Sequence, residues 1–243
     1  MKRPYVICHI LSSLDGKING PFMGTETAGR LAGEYGAMRS EMDADAWMYG
    51  TTTTQEFTDF RKPERAELES AEENSPVPDG DFVADDHADL YYVSVDTEGV
   101  IGWESGEFWN RGRAPAHVIE LLTEGTPSSY KAYLRKRGVS YIVAGKEMLD
   151  CREAMEKLYR LFHIEKLLLC GGGGADWSFL DAGMVDELSL VIAPVTDGSQ
   201  GSASVFAGIP GLNGVSPLEF SLKEVRQTEG GGVYLRCLAK NAK

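Results

Sequence analysis

Four consecutive glycines, Gly171, Gly172, Gly173 and Gly174, follow the apolar run Lys166-Leu167-Leu168-Leu169-Cys170 and lead into a helix-forming segment. Strand, glycine turn and helix together suit a phosphate. Glycine lets the backbone turn at positive φ and approach a ligand closely. The free N–H groups of the helix start then face the anion. A plain flexible turn is the competing reading, since a glycine run is a weak motif. Two further apolar runs end the same way, at Gly50, followed by Thr51, Thr52, Thr53 and Thr54, and at Gly145. In an open α/β sheet, ligands bind beyond the carboxyl ends of strands. Such a set of strand ends suits an extended phosphorylated cofactor better than a single phosphate, although a glycine also simply stops a strand. Asp15, beside Gly16, is either a turn residue or a carboxylate that stabilises a developing cation. His9, inside the first apolar run, is either structural or a weak cation for a substrate.

The elements that must position these residues alternate. Strands are expected over 5–11, 46–49, 90–95, 116–122, 141–144, 166–169 and 188–193. Helices are expected from Thr27 to about Met42, in a short piece after Gly50, over 127–137 with Thr126 as cap, from Asp150 to about Phe162, and over 176–182 with Gly183 beyond its end. Asp150-Cys151-Arg152-Glu153 reads as a capping box. Residues 61–89 form a polar, acidic excursion containing Pro63, Pro76 and Pro78. A closing hairpin over 220–225 and 233–239 turns across Glu229-Gly230-Gly231-Gly232. Strands interleaved with helices indicate an α/β fold with a mixed sheet. We expect one domain over residues 1–243, with no internal repeat.

Composition narrows the function. The 243 residues carry a formal net charge of −13. That argues against duplex nucleic acid, which is held largely by Lys and Arg, and against anionic membrane surfaces. Cys8, Cys151, Cys170 and Cys237 are widely spaced, as expected of reduced thiols in a cytoplasmic protein without a zinc site. No secretory segment follows Met1-Lys2-Arg3, and no apolar run approaches the roughly 18 residues of a membrane span. The dinucleotide fingerprint is absent from the first strand, where Ser13-Leu14-Asp15-Gly16 follows instead, and no G-x-x-x-x-G-K-[ST] is present.

Four segments occur in an order that resembles one family. They are Ser13-Leu14-Asp15-Gly16-Lys17-Ile18, Asp45-Ala46-Trp47-Met48-Tyr49-Gly50 with its threonines, the glycine turn, and Gly183-Met184-Val185-Asp186-Glu187-Leu188-Ser189-Leu190-Val191-Ile192-Ala193-Pro194. The chain resembles the reductase domain of riboflavin biosynthesis from about Pro4 to Phe206. The resemblance implies a dihydrofolate-reductase-like three-layer α/β/α fold with a mixed, mostly parallel sheet and a C-terminal antiparallel hairpin. It implies an NADPH-dependent reductase that acts on a phosphoribosylamino-pyrimidine, passing hydride to the ribose C1′ to give the ribityl chain. It implies a homodimer.

Carried over by motif, Gly171 to Gly174 hold the pyrophosphate. Gly50, Thr51, Thr52 and Thr53 meet the cofactor phosphates; Gly145 is expected in the cofactor site by its strand-end position and not by a motif. Ser94 and Val95 lie near the adenosine and its 2′-phosphate, and Ile18 touches the nicotinamide side. Asp15 is the catalytic candidate. Ser13, Asp15 and His9 face the substrate, with His9 where the family carries Lys. The family has Glu where this chain has Cys170, and an acidic pair where it has Phe57-Thr58-Asp59. Those departures keep two alternatives open: a reductase of the same fold with another small substrate, and a nucleotide-binding protein without turnover.

Overall fold

The computed structural model describes residues 2–74, 77, 79–109, 113–208 and 217–240. In chain order the elements are β1 (Tyr5–Ser12), a 3-10 turn (Pro21–Gly24), α1 (Glu26–Glu41), β2 (Ala46–Tyr49), α2 (Thr51–Phe57), α3 (Arg65–Asn74), β3 (Tyr91–Val95) and β4 (Glu107–Phe108). They continue with β5 (Ala116–Leu122), α4 (Ser128–Arg137), β6 (Ser140–Val143), α5 (Cys151–Phe162), β7 (Lys166–Leu169), α6 (Gly173–Asp181), β8 (Glu187–Ile192), β9 (Phe220–Gln227) and β10 (Val233–Ala239). The fold is mixed α/β, its strands mostly parallel with an antiparallel hairpin at the end. Pro76 and Pro78 of the expected excursion lie outside the described residues.

By their contacts the residues form two compact units, 1–4 with 45–165, and 5–44 with 166–243. In the first, β2, β3, β5 and β6 run parallel, in register through Tyr49↔Ser94, Ser94↔Glu120 and Leu122↔Val143. Every residue of β5 is buried, as expected of a parallel strand covered on both faces. α5 turns Ala154, Met155, Leu158 and Phe162 inward, and α4 contributes Tyr130, Tyr133 and Leu134. The end of the polar excursion is tied to β6: Phe82 and Tyr141 exchange backbone hydrogen bonds, each 2.9 Å. That stretch is therefore a covering strap as well as surface chain.

In the second unit, β7, β1 and β8 are parallel. β10 pairs antiparallel with β8, and β9 with β10, so the hairpin expected near the end closes this sheet. Leu11, Leu31, Val191, Ala193 and Tyr234 form a core cluster beneath α1.

Helix starts differ from expectation for local reasons. Thr25, not Thr27, caps α1, its hydroxyl accepting from the Ala28 N–H at 3.2 Å. Thr126 does not cap α4; it donates to the Thr97 carbonyl at 2.9 Å and accepts from the Thr123 N–H at 3.1 Å. Pro127 takes the cap position and Gly138 closes the helix in the left-handed region. Asp150 caps α5 by accepting from Arg152 and Glu153 N–H groups. The reciprocal arm of the capping box is missing, because Glu153 turns to the Gly145 N–H and to Lys157. None of the four cysteines is in a disulfide, and Cys237 is only partly buried.

Candidate functional site

The glycine run is divided between a turn and a helix. β7 stops at Leu169 and α6 starts at Gly173, three residues before the expected start at Asp176. Gly171 and Gly172 make the turn, while Gly173 and Gly174 open the helix. Gly171 has φ of 102°, a region that costs a side-chain-bearing residue strain. Gly173 is required by packing: a Cβ there would lie 2.1 Å from the Ser204 carbonyl oxygen. The Gly173 carbonyl in turn accepts from the Ala207 N–H at 3.0 Å. Gly172 occupies the cap position with no side chain closing the helix. The first N–H groups of a helix have no intrahelical acceptor. An uncapped glycine start of this kind fits an anion.

The 13–18 loop lies against this turn. A Cβ built on Gly171 would meet only Ile10 Cδ1 and Ile18 Cδ1, each at 3.8 Å. The loop is braced from within: the Ser13 N–H donates to the Lys17 carbonyl, and the Lys17 N–H to Ser13 Oγ, both at 2.9 Å. The Ile18 N–H donates to the Ala203 carbonyl at 2.9 Å. Asp15 accepts from Ser13 Oγ at 2.6 Å, from the Asp197 N–H at 3.0 Å and from the Gly198 N–H at 2.9 Å. These donors, Ser13 foremost, hold its carboxyl well below the usual carboxylate range. Asp15 is therefore an exposed, ionised clasp between two loops. Its charge suits it to steady a cation and not to deliver a proton. The Ser13 hydroxyl is spent on Asp15, and the residue is buried.

His9 is fully buried and stacked on Tyr35, ring centroids 4.1 Å apart. Nε2 lies 3.0 Å from the Tyr35 carbonyl and so carries the proton; Nδ1 accepts from the Ser189 hydroxyl at 3.0 Å. Burial pushes its pKa down to about 4. The ring is a neutral core group with both nitrogens in use. It has none left for a substrate phosphate, which corrects the substrate-facing expectation.

In the other unit, Gly50 caps α2 and Thr51, Thr52 and Thr53 form its first turn. Thr51 Oγ1 donates to the Val95 carbonyl at 2.6 Å, so the structure joins these two predicted residues. Thr54 is buried, its hydroxyl 3.1 Å from the Tyr92 hydroxyl. Ser94 is fully buried beside Glu120 and faces inward, not outward toward a 2′-phosphate. Burial, with Asp96 nearby, drives the Glu120 carboxyl well up, and Trp103 Nε1 donates to it. Gly145 serves its own turn: with φ of 83°, a Cβ would sit 2.2 Å from the Met148 carbonyl oxygen. Its N–H donates to Glu153 and its carbonyl accepts from Glu124. This local need accounts for the glycine without a ligand.

Sequence reasoning missed Asp176. It stands in the first turns of α6 and is fully buried, yet neither carboxyl oxygen has a hydrogen-bond partner among the described residues. Its only sequence signal was an acid just inside a helix start, which usually marks a solvated cap.

Comparison with known proteins adds the lineage. The family described as RibD C-terminal domain matches residues 4–234. A protein of Methanothermobacter thermautotrophicus named 2,5-diamino-6-ribosylamino-4(3H)-pyrimidinone 5′-phosphate reductase is 28% identical over 218 residues, covering 85% of each chain. A protein of Aquifex aeolicus with the same name is 30% identical over 93 residues, 38% of this chain and 41% of that one. Among solved structures, a pyrimidine reductase-like protein of Corynebacterium diphtheriae superposes with TM-score 0.64 at 16% identity, covering 97% of this chain and 92% of that one. The riboflavin biosynthesis reductase Rib7 of Saccharomyces cerevisiae gives TM-score 0.58 at 14% identity, covering 98% and 90%. These structural likenesses speak for the fold, and the fold is the one expected from the sequence.

Proposed function

The chain belongs to the RibD C-terminal domain family, and on that premise we propose that it is an NADPH-dependent reductase of a phosphoribosylamino-pyrimidine in riboflavin biosynthesis. The observation that carries the reading is the uncapped glycine start of α6 with Ile18 packed beside Gly171. The name shared by the two curated relatives favours the 2,5-diamino-pyrimidinone 5′-phosphate over the deaminated uracil as substrate. Small-molecule phosphate chemistry also agrees with a chain of net charge −13, which disfavours nucleic acid. Among the described residues no helix is long and apolar enough to cross a membrane. A homodimer working in the cytoplasm completes the proposal.

In this reading the amides of Gly171 to Gly174 take the pyrophosphate. When bound, NADPH supplies a hydride for C1′ of the ring-opened imine. Ile18 excludes water on the side of Gly171. Asp15, ionised and clasped, steadies positive charge on the imine nitrogen and holds the 13–18 loop in place. Cys170, buried at the head of the turn, replaces an acid with a weak donor that points back to the Leu168 carbonyl at 3.7 Å. It offers the substrate no carboxylate.

The test is NADPH oxidation by the purified full chain with each of the two pyrimidine ribosylamine phosphates. Turnover of the 2,5-diamino compound in preference to the uracil is expected. Tight NADPH binding with no oxidation of either substrate would replace the reductase with a binding protein.

A further inference from the structure

Asp176 stands in the first turn of α6, its own N–H donating to the Gly172 carbonyl of the glycine turn at 3.1 Å. It is fully buried, neither oxygen makes a well-formed hydrogen bond among the described residues, and the Gly171 N–H lies close enough to favour its charged form slightly against the larger effect of burial. A carboxylate buried without a partner is very costly, so the group stays protonated. The titratable neighbours are thiols: the Cys8 thiol on β1 is pushed well up by burial first and then by the charges of Asp176 and Cys170. No cation among the described residues acts on Asp176. The turn before it has little stiffness of its own, since Gly171, Gly172, Gly173 and Gly174 have no side chains to lock. The 203–207 segment holds Gly173, and Asp176 is the group that acts on the Gly171 amide.

We propose that Asp176 is the positioning residue of the glycine turn: as an uncharged acid it supports the Gly171 amide for an incoming phosphate, and as a carboxylate it repels that phosphate. The inference rests on the cofactor reading above. A neutral carboxyl offers a carbonyl oxygen to the Gly171 N–H at no electrostatic cost to the anion. An ionised one places a negative charge in a low-dielectric site behind a pyrophosphate, where like charges repel strongly. Phosphate binding and Asp176 protonation are thus linked, each favouring the other.

Burial raises the Asp176 pKa well above the usual carboxylate value. NADPH affinity of the native chain, followed by cofactor fluorescence from about pH 6 to about pH 10, should fall roughly tenfold on the alkaline side. Asp176→Asn keeps the shape of the neutral acid and cannot ionise. It should match native affinity at the acid end and stay flat where the native chain weakens. Cys8→Ala should keep the native alkaline fall. A native profile without that fall, an equal fall in Asp176→Asn, or its loss in Cys8→Ala would each overturn the proposal. So would an Asn variant that binds weakly throughout.

Two controls separate this failure from failure of the cofactor reading. Gly172→Val places a side chain on the turn at an ordinary φ of −71°. Unchanged NADPH affinity in that folded variant would remove the phosphate assignment itself. Denaturant unfolding without ligand, native chain against Asp176→Asn, isolates Asp176 from cofactor binding. A raised folded-state pKa gives stability that is present below the unfolded pKa and lost as pH rises through the folded one. Asp176→Asn should therefore gain on the native chain toward alkaline pH, whatever the turn binds.

Discussion

His9 shows how one residue trades a ligand role for a structural one. Its ring joins three pieces of chain, stacking on Tyr35, donating to the Tyr35 carbonyl and accepting from Ser189. The Tyr35 hydroxyl returns a hydrogen bond to the His9 carbonyl at 3.0 Å. Burial depresses its folded pKa from 6.5 to about 4. Stability tied to the neutral ring is therefore intact above the unfolded value and lost as pH falls through this window, by up to about 3 kcal/mol. Unfolding titrations of the native chain should show that loss, and His9→Phe should not. Parallel curves would deny His9 the part. A polar residue in an apolar strand was visible in the sequence. Its partners were not: they lie 26 and 180 positions away, brought close by the packing of α1 on β1 and by the pairing of β1 with β8. Asp176 escaped notice for a related reason, since burial is set by the sheet and not by the helix that carries it.

Among elements, periodicity and punctuation located nearly every strand and helix, while starts were decided by contacts no local pattern records. α6 begins at Gly173 although glycine is a poor helix former, because the 203–207 segment leaves no room there for a side chain. The two-residue strand β4 was too short to carry a period. The 13–18 loop was legible as a motif, but its clasp was not. Asp15 binds the 197–198 backbone across 182 and 183 positions. Asp15→Asn keeps one acceptor oxygen and puts an amide where N–H donors converge. Turnover should fall about tenfold while NADPH affinity changes less than about threefold, since the lost interaction acts in the reaction and not in cofactor binding. Equal turnover would return Asp15 to a turn residue. The candidate sites at Gly50 and Gly145 looked alike in sequence and differ in structure. The first opens a helix without a side-chain cap, whereas the second satisfies its own turn.

For the molecule as a whole, class and lineage were readable from the order of four short motifs, and the division into two compact units was not, because no composition break marks it. The formal net charge of −13 acts on any phosphorylated ligand before contact. Long-range repulsion is screened over roughly 8 Å at physiological salt. The association rate of NADPH should accordingly rise as salt is added from a low level, measured by stopped-flow fluorescence. A steep fall would instead reveal a local positive funnel that outweighs the net charge. One contact carries a consequence of another kind. The Ala207 N–H is held by the Gly173 carbonyl, so its exchange with solvent deuterium waits on the opening of the first turn of α6. A backbone position outside the glycine run thereby keeps time for it.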